Sequence, residues 1–100
     1  MIRITIDVTR QDLAAGIPGE PCTCPIAVAA LRAMPFLTGI WVDETHIELD
    51  AGYGPYDGAA IPLPPLARES ISRIDAGDAV EPFSFDIDVP DELIPAGSLS

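Results

Sequence analysis

The stretch Ile2-Arg3-Ile4-Thr5-Ile6-Asp7-Val8 decides the fold, because its apolar and polar side chains alternate without interruption. Alternate side chains of an extended chain point to opposite faces, so this segment has one apolar and one polar face. Residues 82–89 repeat the pattern, with an apolar set of Phe83, Phe85, Ile87 and Val89. Such strands are typical of an antiparallel sheet that is covered on one side.

The middle of the chain predicts a β-hairpin over residues 38–50. Pairing Val42 with Ile47 brings their two apolar side chains together on the face directed to the core. The same register places Trp41 opposite Glu48 on the outer face. The hairpin therefore carries the only tryptophan of the sequence on a polar surface.

Two main helices are predicted from the apolar spacing and the prolines. One begins near Cys24–Pro25 and runs to about Met34, because proline suits the first turn of a helix. The other covers residues 65–75 and ends at Gly77, with a buried side formed by Leu66, Ile71 and Ile74. A short helical turn over residues 9–16 begins with Thr9 as its cap.

The segment between hairpin and second helix is predicted to contain a turn-rich loop and an edge strand. Residues 51–58 hold three glycines and a proline, which favour turns. Ile61 and Leu63 indicate a short strand, and Pro62 between them favours an edge position because it cannot donate to a neighbour.

These elements predict an α+β fold, a two-layer domain with a mostly antiparallel sheet of about five strands and two main helices packed on one face. We expect a single domain over residues 1–100, with an irregular C-terminal tail over residues 90–100.

The charge balance disfavours several partners. The chain has 16 Asp and Glu against five arginines and no lysine, which gives a net charge of −11. Such a chain repels phosphate backbones and anionic lipid surfaces, so we expect neither nucleic-acid nor membrane binding. The acidity serves either solubility or docking onto a basic groove, as in an inhibitor that mimics DNA.

Candidate chemistry is sparse, so we predict that the chain is not an enzyme and needs no cofactor or metal. Asp43 and His46 face each other in the hairpin, which predicts a surface ion pair because no nucleophile accompanies them. Cys22 and Cys24 are candidate reactive thiols, since a helix N-terminus lowers a thiol pKa. The alternative is that Cys24 is a small buried residue. Two cysteines without an export signal indicate the cytoplasm.

The outer sheet face is the predicted partner-binding surface. A large aromatic residue on a polar face is typical of an interface hot spot. Two tyrosines on the glycine-rich loop serve either recognition or coverage of the core edge. The candidate partner-binding residues are Trp41, His46, Glu48, Tyr53, Tyr56 and Asp86.

Several short motifs resemble an uncharacterised family of small proteins from phages, prophages and high-GC bacteria. The matching strings are Asp12-Leu13 with Gly16, Cys24-Pro25-Ile26-Ala27 at a helix start, and Pro82-Phe83-Ser84-Phe85 in the last strand. The leucine at Leu31 stands one place later than in that family's pattern. The resemblance implies a common fold and a phage or prophage origin.

Three functions are consistent with these features. The first is a non-catalytic binding protein, phage-encoded and directed at a host protein or at a second copy of itself. The second is a small-ligand-binding or sequestering protein with a pocket between protomers. The third is a thiol-dependent redox or metal protein.

Overall fold

The first and last strands pair along their whole length. In the computed structural model, which describes residues 1–17, 19–20, 22–50 and 57–91 (57–59 by backbone alone), β1 (Ile2–Val8) runs antiparallel to β5 (Phe83–Val89). Ile4 lies opposite Ile87 and Ile6 opposite Phe85, and all four are buried. The predicted alternation of buried and exposed residues is confirmed in both strands.

The remaining strands form a second antiparallel sheet in the order β2-β3-β4. The bounds are Gly39–Val42 for β2, His46–Asp50 for β3 and Asp57–Pro62 for β4. The predicted pairing of Val42 with Ile47 is confirmed, and β4 lies at the edge as Pro62 indicated. β4 begins at Asp57, inside the segment predicted as a loop.

The α+β architecture is confirmed, but its five described strands are divided between two sheets of two and three strands. Within the described residues, β4 pairs only with β3 and β5 only with β1. The sequence pattern does not distinguish these arrangements, because it fixes which face of a strand is buried and not which strand lies next to it.

Three helices accompany the described strands, namely α1 (Arg10–Ala15), α2 (Pro25–Ala33) and α3 (Pro65–Asp75). Thr9 caps α1 as predicted, and Gly77 follows α3 with a φ of 83°. Leu66 was predicted to face inward, which is wrong, since it is 51% exposed. Ala67, one residue further on, occupies the buried side instead. In the described part of the chain, no helix is long and apolar enough to cross a membrane.

α2 contacts both sheets, through β1 on one side and β2 on the other. Its buried face is formed mainly by small residues, which allow a close approach: Pro25, Ile26, Ala27, Ala29 and Ala30. Gly16 lies against the start of this helix, and a Cβ there would stand 2.4 Å from the Pro25 nitrogen. The end of α1 therefore accepts only glycine without moving α2.

An ion pair joins α1 to α2. The two terminal guanidinium nitrogens of Arg32, Nη1 and Nη2, donate to the Asp12 carboxylate at 2.6 and 2.7 Å, and Nη2 also donates to the Asp7 carbonyl at 2.8 Å. Asp12 is only 3% exposed and also accepts a hydrogen bond from the Thr9 backbone. The hydrogen bonds from Arg32 outweigh burial and lower the pKa of Asp12 to about 2. This contact was not predicted from the sequence.

We expect Asp12→Asn to lower the free energy of unfolding by about 2 kcal/mol near neutral pH, the equivalent of the shift from 3.8 to about 2. Because the folded-state pKa is depressed, the stabilisation is complete above pH 3.8 and is lost as the pH falls through about 2. Urea unfolding of both proteins across this range measures it. The exposed Asp78→Asn serves as control, and a difference between wild type and Asp12→Asn that stays constant down to the lowest pH would contradict the prediction.

Candidate functional site

Trp41 lies on the outer face of the three-stranded sheet, as predicted. It is 47% exposed and lies opposite Glu48, whose other neighbour across the sheet is Ala60. Among the described residues, the other large apolar side chains that are exposed are Met1, Ile17 and Leu66, none of them aromatic. Trp41 is therefore the strongest candidate in the described structure for an aromatic contact with a partner.

A cleft of about 420 Å³ opens beside this tryptophan, and we call it the Trp41 cleft. Three parts of the fold meet there: the tip of the β2–β3 hairpin, the loop before α2 and the last turns of α3. The described lining residues are Gly19, Glu20, Cys24, Trp41, Val42, Asp43, Glu44, Thr45, Ile71 and Asp75. Four of these ten carry a carboxylate and none carries a positive charge. The predicted hot spot thus borders an acidic concavity, which the sequence pattern did not indicate.

The hairpin tip that forms one wall is shaped by a single carboxylate. Asp43 Oδ1 accepts hydrogen bonds from the backbone nitrogens of Thr45 at 2.8 Å and His46 at 2.7 Å. These bonds lower the pKa of Asp43, so the group is ionised at neutral pH. An aspartate that bonds to the backbone two residues later forms its own turn. This explains how a Glu-Thr pair, which is a weak turn sequence, connects the two strands.

The loop wall is held to α3 by a second carboxylate. The backbone nitrogen of Gly19 donates to Asp75 Oδ1 at 3.0 Å, which joins the loop before α2 to the last residue of the helix. Asp43 and Asp75 therefore hold two walls of the cleft in place. For Glu20 and Glu44, by contrast, no ion pair forms with another described residue.

His46 is exposed, as predicted, but its contact with Asp43 differs from the expected ion pair. The Asp43 carboxylate accepts from the backbone nitrogen of His46, whereas the imidazole Nδ1 lies 2.7 Å from the Thr45 hydroxyl. Because the turn folds the carboxylate over the backbone, the ring is left to the neighbouring hydroxyl. Asp43 and His46 therefore stabilise the hairpin turn through the hydrogen bond from the His46 backbone to the Asp43 carboxylate.

Asp86 does not join Trp41, His46 and Glu48, the other predicted partner-binding residues that the structure describes. It lies on β5, where it accepts a hydrogen bond from the Thr5 hydroxyl at 2.6 Å. It lines a different cleft of about 510 Å³, between β4 and β5. The prediction of one continuous outer face from Trp41 to Asp86 is wrong because the strands belong to two sheets. Tyr53 and Tyr56 lie outside the described residues.

The two cysteines differ in exposure, and neither is in a disulfide. Cys24 is 2% exposed, and its sulfur caps α2 by accepting from the Ala27 nitrogen at 3.4 Å. Burial raises the pKa of this thiol, so the expectation that the helix N-terminus activates it is wrong. The alternative, a small buried residue at a helix start, is confirmed. Cys22 is exposed.

Metal binding receives no support from the part of the chain that the structure describes. Within it, no three or more His, Cys, Asp or Glu side chains are placed to hold a metal ion.

Comparison of the chain with protein-family models, curated proteins and solved structures found no match. What the chain can bind is therefore inferred from the geometry and charge of its described surfaces.

We expect Asp43→Ala to lower the free energy of unfolding by about 1 kcal/mol, since two backbone hydrogen bonds at an exposed turn lose their acceptor. Asp43→Asn keeps an acceptor oxygen at the same position and should retain most of the stability. Urea unfolding of the three proteins at neutral pH measures the effect. Equal losses in both variants would assign the stabilisation to the charge rather than to the turn.

We expect one of the two cysteines of the native chain to react rapidly with an aromatic disulfide reagent, and the second only after unfolding. The rapid thiol should disappear in Cys22→Ser and persist in Cys24→Ser, because the sulfur of Cys24 is enclosed. Absorbance of the released thiolate follows both phases. Two equally fast thiols would show that Cys24 is accessible after all.

Proposed function

We propose that the chain is a small, acidic, non-catalytic binding protein that contacts a protein partner through the surface around Trp41. The observation that carries the proposal is the half-exposed Trp41 at the border of an acidic cleft. Tryptophan is among the residues that contribute most to binding when an interface covers them. A partner that covers the exposed half of this side chain removes apolar surface from water, which favours binding.

The charge of the chain favours a partner of opposite sign. At a net charge of −11, two copies repel each other, whereas a basic surface is attracted over the range of a Debye length. Charge complementarity of this kind speeds association and selects partners more than it adds affinity. We therefore favour a basic host protein over a second copy of this chain.

The resemblance of the helix-start and last-strand motifs supports a phage or prophage origin, and with it an accessory or inhibitor-like role in a host cell. A cytoplasmic location fits the two free thiols, one of them exposed. Nucleic acid remains an unfavourable partner because the described clefts lack the clustered cations that neutralise phosphates.

A small-molecule ligand is the second candidate, favoured by the volume of the Trp41 cleft. About 420 Å³ falls within the range of small-molecule pockets. A screen of metabolites by thermal shift tests this candidate, since a ligand that binds only the folded state raises the melting temperature.

The main proposal predicts that immobilised wild-type protein retains a basic protein from a lysate of the natural host and that Trp41→Ala does not. Leu66→Ala is the matched control, because Leu66 is similarly exposed but lies at the other end of α3 from the cleft. Mass spectrometry identifies the retained proteins, and light scattering detects self-association. Identical retention by all three proteins, or no retention by any, would contradict the proposal.

A further inference from the structure

The Trp41 cleft combines an aromatic side chain and an apolar floor with an acidic border. The described floor residues Cys24, Val42 and Ile71 are buried, and Trp41 stands half-exposed beside them. Around them lie the exposed carboxylates of Glu20, Asp43, Glu44 and Asp75. Such a cleft suits a group that is flat or slender, partly apolar and positively charged.

The negative charge of this cleft is not neutralised by the chain itself. Three of the five arginines are engaged in described ion pairs elsewhere: Arg3 with Asp88, Arg10 with Glu81 and Arg32 with Asp12. The other two, Arg68 and Arg73, lie on α3 but are not among the described lining residues. The sequence contains no lysine that could take their place. The cation that complements this cleft therefore has to come from another molecule.

The helix dipoles do not alter this sign. α2 begins at the cleft and contributes a partial positive charge, whereas α3 ends there and contributes a partial negative charge. Each amounts to about half an elementary charge, so the two oppose each other. Four full negative charges then decide the preference for a cation.

The arrangement favours an organic cation over a metal ion. No group of three potential ligands is brought together in the described structure, so these carboxylates surround the cleft without converging on a point. A tryptophan ring attracts a guanidinium or ammonium group through its π face, and arginine also stacks on aromatic rings. A guanidinium can contact the ring and several separated carboxylates at once, because it has five donors in a plane.

Building on the proposed function, we propose that the Trp41 cleft binds the guanidinium of an arginine in a basic segment of the protein partner. The planar head of the arginine stacks on Trp41, and the carboxylates of Glu20 and Glu44 accept its hydrogen bonds. The exposed sheet face then contacts the residues beside that arginine. Recognition of this side chain gives the surface around Trp41 a specificity for a basic partner that net charge alone does not supply.

Fluorescence of Trp41 tests this proposal directly, since it is the only tryptophan in the sequence. The probe is a short blocked peptide with two arginines between glycines, and its matched control carries citrulline, which has the same shape without the charge. We expect a saturable fluorescence change with the arginine peptide and affinity about tenfold weaker for the citrulline peptide. Equal affinities for the two peptides would overturn the proposal.

Matched charge variants separate the cleft from the overall charge. Glu44→Gln should weaken binding of the arginine peptide about threefold. Glu69→Gln changes the net charge equally at an exposed position of α3 outside the cleft and should leave the affinity unchanged. If both variants weaken binding to the same extent, the peptide is attracted by net charge and the cleft is not its site. Calorimetry with Trp41→Ala, which should abolish binding, provides a readout independent of fluorescence.

The same variants distinguish this inference from the proposed function. Retention of a host protein that depends on Trp41 but not on Glu44, together with no binding of the arginine peptide, would overturn the arginine site and leave the binding function standing. Acetyl-arginine amide, added alone, tests whether the peptide matters. If it binds as tightly as the peptide, the cleft belongs to a free small molecule and docking of a protein segment is wrong.

Discussion

The contact of α2 with both sheets is the constraint on which the rest of the structure depends. Within the described residues no ladder of hydrogen bonds joins β5 to β4, so packing has to hold the two sheets together. α2 does this with alanines that let backbones approach closely, and with Ile26, which is fully buried. Gly16 and the pair of Arg32 with Asp12 then fix where this helix lies. The same helix also positions the Trp41 cleft, because Cys24, the N-cap residue of α2, forms part of its floor.

The features that were predictable from the sequence are those set by local geometry. Period-two alternation is enough to bury Ile6 and Phe85 and to expose the residues directly before and after each of them, because a strand has only two faces. The hairpin register followed from the same rule, since a slip by one residue would have placed Ile47 in water. Trp41 was found in this way, as the large aromatic residue left on the outer side.

The features that could not be predicted depend on contacts between distant parts of the chain. Arg32 and Asp12 are twenty residues apart, and nothing in either helix pattern shows that the two helices bring them together. Asp86, like Trp41, lies on the exposed face of its strand, but the two strands belong to different sheets. The alternation of side chains along a strand does not determine which strands are neighbours. The acidic cleft arises from a loop, a hairpin tip and a helix end, and only the folded chain brings Glu20 and Asp75 to the same place.

Some carboxylates of the chain stabilise particular contacts of the fold, whereas others beside the Trp41 cleft form no ion pair with a described residue. Asp12 is buried and satisfied by Arg32, and Asp43 turns the hairpin, so each negative charge there stabilises a particular contact. Around the Trp41 cleft the chain places further carboxylates without a cation, although like charges in one region oppose folding. One lysine at the border would relieve this repulsion, and the sequence has none. Under the proposed function, a cation of the partner would relieve this repulsion and so favour the bound state over the free one, whereas in the free protein the packing of the core beneath α2 has to offset it.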